Sequence, residues 1–178
     1  MKKLTIIALI AFTFCITATA NAFYGGINYM HTTADFAGLA DADMGVLTLK
    51  GGHELNDYIA VEARAGIGIT DDDLVPGVTM ETDYVWGIYA RPGIKAGNAN
   101  FYGLLGYAGV EGTMTVAGDP AASGSEDEMD FSYGAGVEVN VTDKMGISFE
   151  YMVLPEFDIV PGLAVEIDSI NVGMSFKF

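Results

Sequence analysis

From Phe23 onward, large apolar and small or polar residues alternate. In 59–69 one face reads Ile59, Val61, Ala63, Ala65, Ile67, Ile69, and the other Ala60, Glu62, Arg64, Gly66, Gly68. In 131–141, Phe131, Tyr133, Ala135, Val137, Val139 and Val141 alternate with Ser132, Gly134, Gly136, Glu138 and Asn140. The same pattern runs through 145–153 (Met145, Ile147, Phe149, Tyr151, Val153) and 170–178 (Ile170, Val172, Met174, Phe176, Phe178). A period of two is the signature of a strand. It recurs in eight segments, near 23–31, 44–55, 58–70, 80–95, 100–116, 129–141, 145–154 and 165–178. Three connections are tight: Asn56-Asp57, Ala96-Gly97-Asn98-Ala99 and Thr142-Asp143-Lys144, all built from turn residues. Four are longer and acidic, near 32–43, 71–79, 117–128 and 155–164. Short turns at one end and long loops at the other predict an up-and-down meander.

The chemistry of the two faces sets the environment. One face is bulky and aromatic; the other is mostly Gly, Ser and Asn with isolated charges. Small residues and charges suit the narrow interior of an eight-stranded barrel, and bulky apolar residues suit lipid. A closed barrel is the only sheet that leaves no backbone group unpaired in a bilayer. The expected fold is therefore all-β: an eight-stranded antiparallel up-and-down transmembrane β-barrel over 23–178. Aromatic girdles are expected where strands meet the membrane interfaces. Phe23, Tyr102, Phe176 and Phe178 are placed at the lower rim, and Tyr29, Tyr84, Trp86, Phe131, Tyr133 and Tyr151 at the upper. The inward set holds Lys50, Arg64, Arg91, Lys95 and Lys177 against Glu54, Glu62, Glu111, Glu138 and Glu150. Buried charges need partners, so an electrically neutral ion-pair network is expected through the lumen.

Composition then sharpens the reading. The 178-residue chain carries 24 Asp+Glu against 8 Lys+Arg, yet is 51% apolar. That apolar content excludes an acidic disordered chain, and the negative charge excludes nucleic acid as a partner. Lys2 and Lys3, the apolar run Leu4 to Ile16 and the small-x-small site Ala20-Asn21-Ala22 form a secretory signal peptide over 1–22, cleaved on export. Cys15, the one cysteine, lies inside that leader. Phe14 before it does not suit a lipoprotein site, and the mature chain has no thiol for a disulfide or a nucleophile.

At this point the sequence resembles the small outer-membrane β-barrel family of Gram-negative bacteria, the OmpA-like, OmpX/Ail-like and opacity-type porin-family barrels. The likeness rests on the leader ending Ala20-Asn21-Ala22, the opening Phe23-Tyr24-Gly25-Gly26, Arg91-Pro92-Gly93 in a central strand, and the close Ile170 to Phe178. It implies residence in the outer membrane, contact with its lipid and lipopolysaccharide, and Phe178 as the assembly signal read by the barrel assembly machinery. It also implies a structural or surface-contact role such as adhesion. No cell-wall-binding domain is expected after Phe178.

Three functional classes remain to be weighed. Asp41, Asp43, Asp71, Asp72, Asp73, Glu126, Asp127 and Glu128 lie in the long acidic loops. Carboxylate oxygens suit Ca²⁺ or Mg²⁺, and such ions would bridge the loops to lipopolysaccharide phosphates; a solvated, mutually repelling loop surface is the plainer alternative. A narrow or gated solute channel is disfavoured, because eight strands leave a lumen filled by side chains. A lipid-modifying enzyme is disfavoured further: His31 and His53 are placed at opposite interfaces, no Ser-His-acid grouping is legible, and no cofactor is implied.

Overall fold

The structure, a computed structural model, describes residues 23–35, 41–118, 124–160 and 163–178. The leader expected at 1–22 lies outside these residues. Ten strands run in chain order: β1 (Phe23–Asp35), β2 (Asp41–Asn56), β3 (Ile59–Thr70), β4 (Asp72–Val75), β5 (Val78–Ala96), β6 (Ala99–Val116), β7 (Gly124–Asn140), β8 (Met145–Val153), β9 (Phe157–Val160) and β10 (Leu163–Lys177). Eight of them form an antiparallel wall in the order β1-β2-β3-β5-β6-β7-β8-β10. The wall closes on itself where β1 pairs with β10, from Tyr24↔Lys177 to Asp35↔Glu166. Closure removes the sheet edges that would otherwise stand unpaired in lipid.

The tight turns are set by local chemistry. Gly97 adopts φ 63° between paired Ala96 and Ala99, a left-handed conformation that costs glycine little. The Asn56 carboxamide oxygen accepts hydrogen bonds from the backbone N–H groups of Tyr58 (2.8 Å) and Ile59 (3.0 Å) and caps the β2–β3 turn. The Thr142 hydroxyl does the same for Met145 (3.0 Å).

At the other end the strands run further than the alternation predicts. β1 and β2 stay paired up to Asp35↔Asp41. The expected loop at 71–79 is mainly a hairpin, in which β4 pairs with β5 around Gly77 at φ 89°. β9 likewise folds against the start of β10. Alternation continues into these extensions with its chemistry inverted: Ala34, Ala42, Met44, Val165 and Ile167 are buried, while Asp35, Asp41, Asp43 and Glu166 are exposed.

The alternation translates into two faces. Leu49, Ile88, Ile94, Phe101, Leu105, Phe149, Val172 and Met174 stand exposed on the outer wall. Glu62, Arg64, Thr48, Ser148, Leu104 and Met152 are buried within.

Candidate functional site: lumen and upper rim

The lower half of the lumen holds a charged network centred on Glu150 of β8. Its carboxylate accepts from Arg64 Nη1 (2.6 Å) and Nη2 (3.0 Å), Lys50 Nζ (3.2 Å), the Tyr102 hydroxyl (2.7 Å) and Asn28 Nδ2 (3.3 Å). Arg64 also reaches Glu62, two residues earlier on the same face of β3 (Nε to Oε1, 2.7 Å). Lys50 and Arg64 stand opposite each other across the β2–β3 ladder. Like charges in that relation repel, and Glu150, crossing from the far wall, offsets both. Arg91 lies 4.0 Å from Glu62 and 3.4 Å from Glu138, and Lys177 lies 3.9 Å from Glu138. Lys95 and Glu54 meet at 3.4 Å in the lower mouth, where both are partly exposed.

Tyrosines, which the alternation did not single out for the interior, complete the network. Tyr24 donates to Glu62 (2.6 Å), Tyr102 to Glu150, and Tyr89 to Ser132 (3.2 Å). The Arg91 guanidinium lies 3.7 Å from the centre of the Tyr102 ring and 5.4 Å from that of Tyr24, close enough for cation–π attraction. Each ring needs a glycine facing it. Gly52 stands opposite Tyr24, and Gly136 opposite Tyr102. A Cβ on Gly136 would sit 2.8 Å from the Tyr102 ring and 2.9 Å from Glu150 Cγ. Gly136→Val is therefore expected to lower stability by about 1–3 kcal/mol through overpacking. Urea unfolding of the refolded barrel measures it, with Gly103→Ala, where a Cβ would meet nothing closer than 3.8 Å, as the comparison.

Two expected positions are corrected. Tyr102 does not belong to the lower girdle: it is buried, with 5% of its surface exposed, and faces the lumen. Glu111 does not belong to the lumen: it pairs in register with the outward residue Tyr84. Both corrections have one cause, an inverted face assignment along β6. The network therefore contains five cations and four carboxylates, without the expected neutrality.

The other girdle candidates stand on the outer wall. Tyr29, Tyr84, Trp86, Phe131, Tyr133 and Tyr151 are exposed toward the upper end and Phe176 toward the lower. Tyr107, not anticipated, joins the upper set, edge-on to Phe131 at 6.1 Å. Phe178 is exposed on the lower rim, with its N–H donating to the Phe23 carbonyl (3.1 Å).

The upper half of the lumen is unlike the lower. Met30, Ala34, Ala42, Met44, Val46, Val85, Leu104, Ala108, Val110, Met152, Leu154, Val165 and Ile167 form one buried apolar cluster. The interior, expected to be mostly Gly, Ser and Asn with isolated charges, is thus largely apolar above the level of Thr48, with Thr32, Thr82 and Ser169 interspersed. On the β10-β1-β2 wall, Asn28 Oδ1, Thr32 Oγ1, Thr48 Oγ1, Ser169 Oγ and the Asn171 amide are buried with no protein partner. Buried polar groups of this kind are ordinarily met by ordered water.

The upper rim is acidic. The Asp43 carboxylate accepts from the Thr33 hydroxyl (2.8 Å) and lies 3.6 Å from His31 Nε2. The backbone N–H of Asp43 donates to Asp72 (2.9 Å), and Thr79 donates to Asp73 (2.6 Å). Asp35 stands opposite Asp41 on one side and Glu166 on the other. Asp71, Asp127 and Glu128 are exposed, and the Glu126 side chain lies outside the described residues. Among the described residues no three Asp, Glu, His or Cys side chains converge as a metal cluster. The charge is strongly divided along the axis. All six described basic residues, Lys50, Arg64, Arg91, Lys95, Lys144 and Lys177, lie in the lower half with Glu54, Asp57, Glu62, Glu138, Asp143 and Glu150. Every other described carboxylate belongs to the upper end.

Comparison with known proteins agrees with this architecture. The outer membrane protein beta-barrel domain family matches residues 5–178. Ail, the attachment invasion locus protein of Yersinia pestis, superposes with a TM-score of 0.67 at 17% identity, covering 90% of this chain and 100% of Ail. Neisserial surface protein A gives 0.63 at 16%, covering 90% and 100%. OprG from Pseudomonas aeruginosa gives 0.59 at 12%, covering 90% and 98%. At these identities the likeness is one of fold. No curated protein sequence matches.

Proposed function

Because this chain belongs to the outer membrane protein beta-barrel family, we propose that it acts as a non-enzymatic, non-conducting barrel whose working surface is its acidic extracellular end. It is a bacterial outer-membrane protein. The observation that carries the rest is the two-level lumen. An ion entering from the periplasm meets the Glu62–Arg64–Glu150 network, and above it the packed cluster around Val46, Leu104 and Met152. An apolar plug raises a large desolvation cost against any ion. Single-channel recording of the purified barrel is expected to give no lasting open steps; lasting steps overturn this reading.

The absence of an enzymatic role is supported by the two histidines, His31 in β1 toward the upper end and His53 in β2 toward the lower, where His53 packs on Phe23 with ring centres 4.5 Å apart. Residues 1–22 act as the cleaved leader and Phe178 as the assembly signal.

At the rim the proposed ligands are Ca²⁺ or Mg²⁺ shared with lipopolysaccharide phosphates, with Asp41, Asp43, Asp71, Asp72, Asp73, Asp127 and Glu128 as oxygen donors. Asp35 stands opposite Asp41 and Glu166 in the strand register, just above the aromatic girdle, so negative charge that a divalent cation would screen is concentrated there. Ail has been solved with a heparin analogue, sucrose octasulfate. An anionic ligand of that kind does not suit this rim, which has no Lys or Arg among the described residues. In lipopolysaccharide bilayers, Ca²⁺ is expected to raise the unfolding temperature over EDTA. At a hundredfold excess over Kd the gain is about 2.7 kcal/mol. Combined replacement of Asp41, Asp43, Asp72 and Asp73 by Asn is expected to remove the difference. An unchanged melting temperature in Ca²⁺ ends the cation role and leaves the non-conducting barrel standing.

A further inference from the structure

The barrel wall does not stay closed to the top. β7 pairs with β6 along its whole length, from Ala99↔Val139 up to Met114↔Gly124. Its pairing with β8 begins only at Tyr133↔Val153. Residues 124–132 of β7 are therefore paired on one side alone among the described residues. The reason lies at the end of β8. Leu154 N–H donates to the Ile167 carbonyl (2.9 Å), tying the chain to β10. Pro155 follows, is fully buried and has no N–H to offer. The chain then returns as β9, which pairs with β10 and not with β7. Two lips result, β6–β7 on one side and β9–β10 on the other.

A strand edge with unmet N–H and C=O groups is a template for another strand. On this one, the Phe131 N–H is met locally by the carboxylate of its neighbour Asp130 (2.6 Å), a side-chain substitute for a strand partner. The side chains along the edge select what can add. Asp127, Glu128 and Asp130 are exposed together with Met129 and Phe131, and exposed Glu156 stands at the opposite lip. Edge addition of a second copy would set carboxylates against carboxylates, which repel. A basic chain would be attracted, and Met129 and Phe131 would give it apolar contact.

We infer that the open edge of β7, residues 124–132, is a docking site for an extended Lys- or Arg-rich peptide segment of a partner protein, added as a strand. The site rests on the surface-contact role proposed above, but its test does not depend on the absence of conduction or on cation binding. In the free, refolded barrel, alternate amides of 124–132 exchange with deuterium far faster than those of 133–140. Uniform protection along both stretches would mean that the edge is already covered, and would overturn the site. The probe is an alternating Lys/Val/Thr peptide matched in length to the edge, followed by amide shifts and exchange. It is expected to bind and to slow exchange at 124–132. Methylating its backbone nitrogens on alternate residues, which keeps charge and removes donors, should weaken binding by about tenfold or more. Equal binding by the methylated peptide, or no binding by the parent, overturns strand addition. The combined variant D127K/D130K should lose the peptide; full retention overturns the charge selection. Heat-modifiable gel migration checks that this variant folds.

Discussion

Replacing Glu150 with glutamine is expected to destabilise the barrel by about 3–5 kcal/mol, the cost of breaking a buried ion pair by removing one partner. Glu150 has almost no exposed side-chain surface and offsets Lys50 at 3.2 Å and Arg64 at 2.6 Å. Arg64 keeps its Glu62 ion pair when Glu150 is neutral, whereas Lys50 loses its ion-pair partner at 3.2 Å and keeps the Ser148 hydroxyl at 3.1 Å. The damage should therefore concentrate on Lys50. Lys50→Met in the Glu150→Gln background is expected to recover part of the loss, whereas Lys50→Met alone leaves Glu150 with Arg64 as its remaining cation and is destabilising. Urea unfolding of the four proteins gives the coupling free energy directly. If the two losses simply add, Glu150 does not organise the network.

The second large effect tests the outer wall. Met174 lies midway between the exposed Phe178 and Asp168 on β10, in register with outward Ile27 and Ile147. Met174→Arg is expected to cost about 2–4 kcal/mol, the penalty for a cation facing lipid near the midplane, falling to about 0–1 kcal/mol near an interface. Ile170→Arg, beside Tyr151, His31 and the Asp168 level, should fall at the low end. Folding titrations into lipid vesicles measure both. Equal, small effects at the two sites would contradict a lipid-facing wall.

Most of the architecture was legible in the sequence, for a physical reason: a strand that divides lipid from a packed polar lumen must alternate sharply. β3, β7, β8 and β10 do so, and their faces follow residue by residue. β6 does not. Phe101-Tyr102 and Leu104-Leu105 put apolar residues on both phases, and choosing the wrong one flips every side chain. Tyr102 and Glu111 were misplaced together because they lie on opposite phases of that strand. The information existed across the ladder: Tyr102 faces Gly93 and Gly136, which share faces with Arg91 and Glu138. Cross-strand neighbours lie on one face, so register would have corrected what single-strand alternation could not.

The apolar upper lumen was hidden for a related reason. Where both wall and interior are apolar, as at Val46-Leu47 and Tyr84-Val85-Trp86, the contrast vanishes. The strand extensions, such as β1–β2 up to Asp35↔Asp41 and the start of β10, carry apolar residues inward and carboxylates outward, so their acidity reads as loop in the sequence.

The span of the Glu150 contacts has a consequence for assembly. Glu150 comes from β8, and its cations come from β2 and β3, separated by 100 and 86 positions in sequence. In an unclosed sheet these strands stand far apart, so Lys50 and Arg64 face a nonpolar medium without Glu150. A half-inserted sheet is then penalised at its centre until β1 meets β10. Closure relieves that penalty at several pairs together. The transition into the membrane should be steeply cooperative and slow, since contacts this distant in sequence form late.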